Sequence, residues 1–89
     1  MRIGLVGAGP WARTVHAPAI AAHPRWSSAG VWARRPEAAA EVAAIAGGPA
    51  HAPFEELLEV CDAVAFAVPP RLQGELAPAA AAVGRHLVL

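Results

Sequence analysis

Gly7, Gly9 and Ala12 stand at the spacing G-x-G-x-x-A directly behind the apolar run Ile3 to Val6, and the chemistry this spacing serves is the holding of an anion by bare backbone. Glycine at the first position permits a tight turn. Glycine at the second leaves no side chain between the backbone and a phosphate, and a small residue at the third lets the following helix lie close to the strand. Pro10 suits the first helical turn because the N–H it lacks would be unpaired there in any case. The remaining N–H groups of that turn, backed by the positive end of the helix dipole, form a seat for a diphosphate. Trp11 has two compatible uses, lending its backbone N–H to the phosphate or covering the core.

About 20 residues beyond such a turn, a site for NAD usually presents an acid to the ribose 2′-hydroxyl. Here that position is Ala33, followed at once by Arg34 and Arg35. No carboxylate repels a 2′-phosphate, and each charge-assisted bond from an arginine contributes about 1.5 to 3 kcal/mol. The expected cofactor is therefore NADP, with NAD as the alternative; the competing reading leaves both arginines solvated ahead of a helix. The chain has no lysine and no tyrosine, all seven basic residues being arginine, which removes a Tyr/Lys proton relay and a Schiff-base lysine. No catalytic residue is assigned. His16 either faces a ligand or satisfies itself in packing, and the second is the commoner fate of a helical histidine. Cys61 has no basic neighbour to make it a nucleophile. His23, His51 and His86 show no metal-ligand spacing. Glu55 and Glu56 are adjacent and diverge on a helix, so they suit the helix dipole rather than an acid/base pair, and Trp26 and Trp32 suit packing.

The elements that must position these residues alternate. Arg2 to Val6 reads as a strand with two buried faces. A helix follows from Pro10, with Pro18 expected to kink it. Ser28 to Ala33 is a second strand. A helix from Pro36 has Ala38, Val42 and Ile45 at helical spacing before Gly47-Gly48 stops it. A brief third strand falls at Ala50 to Ala52, a short helix at Phe54 to Val60, and a fourth strand at Ala63 to Val68, ended by Pro69-Pro70. Leu72, Leu76, Ala80 and Val83 line a further helix that Pro78 interrupts and Gly84 ends, and His86 to Leu89 begins a fifth strand. This order predicts an α/β, doubly wound parallel Rossmann sheet of strand order 3-2-1-4-5 with right-handed crossovers. Ligands of such sheets bind outside the carboxyl ends of the strands at the switch point, where the glycine turn and Val68-Pro69-Pro70 both fall.

Eighty-nine residues suffice for one small domain, burying roughly 60 to 65% of its unfolded surface. The 56% apolar content excludes a disordered chain, although much of it is alanine. A formal net charge of zero gives no field for nucleic acid, so an anion site must be local. A single cysteine, no export signal and no apolar run of membrane length lead to the expectation of a cytoplasmic protein with no membrane or nucleic-acid partner.

Four passages resemble the Gfo/Idh/MocA family of NAD(P)-dependent oxidoreductases, the glucose-fructose oxidoreductase and inositol dehydrogenase type. They are Arg2 to Gly9 with Trp11-Ala12, Arg35-Pro36-Glu37-Ala38-Ala39, Asp62-Ala63 leading to Val68-Pro69-Pro70, and Gly84-Arg85-His86-Leu87-Val88-Leu89. The resemblance implies hydride transfer between nicotinamide and a hydroxyl carbon of a sugar, cyclitol or related polyol. Gln73 stands where family members commonly carry a histidine. The family's Glu-Lys-Pro motif would begin after Leu89, so residues 1–89 are expected to be a partial dinucleotide-binding domain cut short before the substrate domain. The alternative is a noncatalytic regulatory or interaction module; a flavin or S-adenosylmethionine site would want an acid where Ala33 stands. Leu87 and Leu89 at an unpaired sheet edge lead to an expectation of self-association.

Overall fold

Short apolar runs separated by alanine-rich helices fold here into a parallel sheet covered on both faces, as seen in a computed structural model that describes residues 1–88, Val88 by its backbone only. The strands are β1 (Arg2–Val6), β2 (Ser27–Trp32), β3 (Ala63–Phe66) and β4 (His86–Val88), in the order β2-β1-β3-β4 and all parallel. The predicted third strand is reduced to a single parallel bridge between Ala50 and Val31. It lies outside β2, so the expected 3-2-1-4-5 order keeps its sense with four full strands and one remnant. Only four residues separate the Gly47-Gly48 stop from Pro53, which caps the next helix, and this leaves little chain for a strand. The predicted fourth strand is shorter than expected, ending at Phe66 rather than Val68. Leu89, the last residue of the predicted fifth strand, lies outside the described residues.

One face of the sheet carries a helical segment that starts at Pro10. It contains a π-helical turn at Ala12–His16 and continues as α1 (Ala17–Ala22); α2 (Pro36–Ala46) packs beside it. The other face carries α3 (Phe54–Val60) and α4 (Pro70–Ala82). Instead of a simple kink, the segment accommodates Pro18 by a widened turn that closes just before it, with the Ala17 N–H donating to the Ala12 carbonyl; Pro18 then sits in the first turn of α1, where it has no bond to lose. Pro78 does not break α4, which runs on to Ala82. That helix ends in a Schellman arrangement, Gly84 N–H donating to Ala81 O at 3.0 Å and Arg85 N–H to Ala80 O at 3.1 Å.

The buried stripe of α2 is Ala39, Val42, Ala43 and Ala46, while Ile45, expected inside, is 40% exposed. Alanines on that stripe let the helix approach the sheet more closely than isoleucine would. On α4 Ala80 is fully buried, Leu76 and Ala77 pack partly buried against the second cluster, and Val83, the residue just past the helix, is exposed. The first face of the core gathers Ile3, Leu5, Val31 and Val42 with seven alanines; the second gathers Phe54, Leu57, Leu58, Val64 and Phe66. Trp32 packs against this second cluster, edge-on to Phe54 at 5.5 Å, and its indole N–H donates to Ala52 O at 3.0 Å. Trp26 departs from the packing expectation, being 37% exposed and stacked on His23 at 4.1 Å.

At the β2 edge the register slips by one residue opposite Ile3/Gly4, and Gly30 takes φ +126°. His51 fills the space beside it: a Cβ on Gly30 would lie 2.5 Å from His51 Nε2. The buried imidazole spans two acceptors, Glu56 Oε1 at 2.7 Å from Nδ1 and Ala29 O at 2.9 Å from Nε2. Glu56 is thereby committed to His51, a role beyond the helix-dipole function expected from sequence. Replacing His51 with leucine is expected to lower stability by about 2 kcal/mol, because the Ala29 carbonyl is left without its partner; urea unfolding with an unchanged m-value checks it.

Cys61 is buried at the end of α3, and burial raises its thiol above the ordinary range, with Arg85 opposing the shift. A raised value in the folded state makes its contribution fully present below about pH 8.5 and lost as pH climbs through the folded-state value. Thermal melts from pH 7 to 10 should therefore show an alkaline decline that Cys61→Ala diminishes.

Candidate functional site

The carboxyl ends of β1 and β3 lie side by side, and the site is built where the chain leaves them. Gly7 turns immediately after β1 with φ +123°, and a Cβ there would lie 2.3 Å from the carbonyl oxygen of Ala67. Its N–H donates to Trp32 O at 2.8 Å, while the Ala67 N–H donates to Val6 O at 2.8 Å. Gly7 is thus needed by the protein itself, to let the turn pass beneath the end of β3. Gly9 is different: a Cβ there would meet nothing within 4 Å, and no left-handed angle requires glycine. It borders two openings. One is a cavity of about 530 Å³ lined by Gly9, Pro10, Trp11, His16, Phe66, Ala67, Val68 and Pro69; the other lies toward Arg13 and Thr14.

Ala12 is fully buried in the first core cluster, the close helix-to-strand contact that a small residue there permits. Trp11 is 69% exposed, so it walls the cavity and does not cover the core. The Arg13 N–H bonds back to Gly9 O at 3.1 Å. The N–H groups of Trp11 and Ala12, in the first turn, have no earlier helical carbonyl to reach. Thr14 Oγ1 donates to Pro10 O at 2.7 Å, and His16 Nδ1 lies 3.2 Å from Trp11 O. His16 thus has one ring nitrogen beside a backbone carbonyl and lines the cavity.

A second cavity of about 480 Å³ opens on the other side of Pro69, lined by Arg34, Pro69, Arg71, Leu72 and Glu75. Ala33, expected to close the second strand, lies one residue past β2, half-buried against the first core cluster and just before Arg34. Arg34 Nη2 lies 4.0 Å from Glu75 Oε2. Arg35 turns away to Glu37 at the start of α2, Nε to Oε1 3.2 Å. The backbone hydrogen bond at Glu37, and then Arg35, lower the Glu37 carboxyl below its ordinary value. Pro70 begins α4, and Gln73 lies on its first turns, Gln73 N–H donating to Pro69 O at 3.1 Å. The structure therefore brings Gly9, Pro10, Trp11, Val68 and Pro69 around one cavity and Arg34 and Pro69 around the next, and separates Arg35 from both. Arg71 and Glu75 were not singled out from sequence. Their signal was their spacing of four on one face of the helix that follows the prolines.

The residues present fit a dinucleotide: open space at Gly9, first-turn amides with no helical carbonyl to bond, and two cavities that share Pro69. No group of three or more His, Cys, Asp or Glu residues that could hold a metal occurs among the described residues. Among the same residues no helix is long and apolar enough to cross a membrane.

The family model described as an oxidoreductase family with an NAD-binding Rossmann fold, GFO_IDH_MocA, matches residues 1–89. No curated protein matches the chain. Among solved structures it is similar to UDP-N-acetylglucosamine 3-dehydrogenase GnnA from Acidithiobacillus ferrooxidans, with TM-score 0.84 and 32% identity over 98% of this chain and 27% of that one. It is also similar to the 3-ketoreductase KijD10 from Actinomadura kijaniata in complex with NADP and TDP-benzene, with TM-score 0.89 and 28% identity over 98% of this chain and 27% of that one. An oxidoreductase from Thermotoga maritima gives TM-score 0.83 and 32% identity over 98% and 28%. The chain thus spans little more than a quarter of the length of these relatives.

Proposed function

The chain belongs to the Gfo/Idh/MocA family of NAD(P)-binding oxidoreductases with a Rossmann fold, and from that premise we propose that residues 1–89 are the dinucleotide-binding part of an enzyme that oxidises or reduces a hydroxyl carbon of a sugar, cyclitol or related polyol, using NADP in preference to NAD. In this reading the substrate-binding residues belong to sequence other than these 89. The relatives support a sugar class, one being a UDP-N-acetylglucosamine 3-dehydrogenase and another a 3-ketoreductase seen with NADP.

The observation that carries the reading is Gly9. Its missing side chain has no use within the fold, so the vacancy serves something that approaches from outside. The Trp11 and Ala12 amides would receive the diphosphate, with Pro10 starting the helix. Arg34, beyond Ala33, would take the 2′-phosphate, assisted by Arg35 if it leaves Glu37. Val68, Pro69 and Pro70 would bound the nicotinamide side, and Trp11 and Phe66 would exclude water there. The nicotinamide, when bound, supplies the hydride acceptor or donor. His16 also lines that cavity.

Calorimetric titration of the chain with NADP and with NAD tests the proposal. A tighter NADP complex is expected; equal affinities, or a tighter NAD complex, would remove the 2′-phosphate assignment. We also propose self-association through β4, the edge strand of the described sheet, where Leu87 is half-buried against the second core cluster. Light scattering should give a mass above that of the monomer, and a monomer at high concentration would refute it.

A further inference from the structure

The cavity behind Pro69 holds more charge than one arginine and a 2′-phosphate require. Arg34 arrives from the end of β2 and Arg71 from the first turn of α4, and the same space is lined by Glu75, one turn after Arg71. The two guanidiniums and the single carboxylate leave this pocket one positive charge. Of the three, Arg34 and Glu75 are close, at 4.0 Å, with side chains 70% and 57% exposed. Arg71 has no ion pair among the described residues. Its position carries a local cost, since a cation in the first turn of a helix faces the positive end of the dipole. A phosphate seated in the cavity would relieve that cost. It would also replace the Glu75 carboxylate as the partner of Arg34, and Glu75 is exposed enough to swing into solvent.

We propose that Arg71 and Arg34 together form the seat for the 2′-phosphate, and that Glu75 is the internal anion the phosphate displaces from Arg34, so that Glu75 weakens NADP binding while leaving NAD unopposed. This rests on the reading of Arg34 as the 2′-phosphate contact and adds the two residues of α4 that set its strength. A 2′-phosphate brings close to two negative charges at neutral pH. One guanidinium, even in fork geometry, leaves part of that charge uncompensated, and a second one from the opposite wall completes it. Pro69 lines this cavity and the one beside the glycine turn, so a single ligand passing over Pro69 reaches both.

The test is titration of the chain and three exposed-residue variants with NADP and NAD, read by calorimetry and by tryptophan fluorescence, to which Trp11 in the lining of the first cavity contributes. Arg71→Gln should weaken NADP about tenfold, the worth of one charge-assisted contact, and leave NAD within about twofold. Glu75→Gln should strengthen NADP by up to about fivefold, the scale of an exposed charge pair, without strengthening NAD. NADP affinity should also fall more steeply with salt in the parent than in Arg71→Gln. If Arg71→Gln changes both ligands equally or neither, the proposal fails. If Arg34→Gln costs NADP selectively while Arg71→Gln does not, the role of Arg71 fails and the Arg34 assignment stands. If Arg34→Gln is also without selective effect, the 2′-phosphate reading itself fails. Matching melting temperatures establish that every variant is folded.

Discussion

Substituting alanine for Gly7 is expected to cost about 3 to 5 kcal/mol of stability, the range reserved for backbone strain combined with a forced clash. The residue sits at φ +123°, and an added Cβ would lie 2.3 Å from the Ala67 carbonyl oxygen. Neither partner can yield cheaply, because the obstacle is backbone. Ala67 is tied to Val6 O through its own N–H, and the Gly7 N–H is tied to Trp32 O. Any shift that admits the methyl group therefore pulls on β1, β2 and the end of β3 together. A chain of this length is typically stable by roughly 4 to 13 kcal/mol, so the loss consumes much of the total. Urea unfolding of Gly7→Ala at 25 °C measures it, and a change below 1 kcal/mol would show that the turn relaxes in a way the geometry does not allow.

The second large effect lies two residues away and has the opposite character. Gly9→Val should leave stability within about 0.5 kcal/mol, as expected of a surface substitution with no strained angle and no neighbour to strike. Coenzyme affinity should nonetheless fall about a hundredfold, because the new side chain stands between the diphosphate and two charge-assisted amide contacts. The pair separates two reasons for glycine that the sequence motif merges. If Gly9→Val binds NADP as the parent does, the diphosphate does not rest on this turn. If it unfolds, the open space beside Gly9 is an illusion of the static structure.

Much of this arrangement is legible before folding is considered. The G-x-G-x-x-A turn announces itself because each position has a distinct steric task, and Phe54 to Val60 is bounded by a proline and a strand with no competing period. What escapes is whatever depends on two distant segments meeting. Arg34 and Glu75 are brought together by a parallel crossover. Nothing local at Glu75 marks it as the partner of a residue at the end of β2. His51 and Glu56 are near in sequence, yet their importance comes from the register slip at Gly30, which no pattern of hydrophobicity encodes. The alanine bias blurs the rest. Along α2 and α4 several candidate stripes have nearly equal hydropathy, and the approach of each helix to the sheet selects one of them, Ala39, Val42, Ala43 and Ala46 on α2. The π-helical turn before Pro18 is equally silent, since a proline can be met by a kink, a break or a widened turn at similar cost.

The two sides of the sheet are unlike: seven of the twelve buried residues against α1 and α2 are alanine, whereas the side against α3 and α4 holds two phenylalanines and two leucines from Phe54, Leu57, Leu58 and Phe66. As such sequences diverge, the first side admits almost no growth and little is lost by trimming it, while the second forgives reshaping among bulky groups but not their removal. Drift will thus be recorded asymmetrically, with near-frozen methyl-sized positions under the glycine turn and freely exchanged large ones behind it. The side packed with methyl groups is the one that fixes where the helix after the glycine turn points.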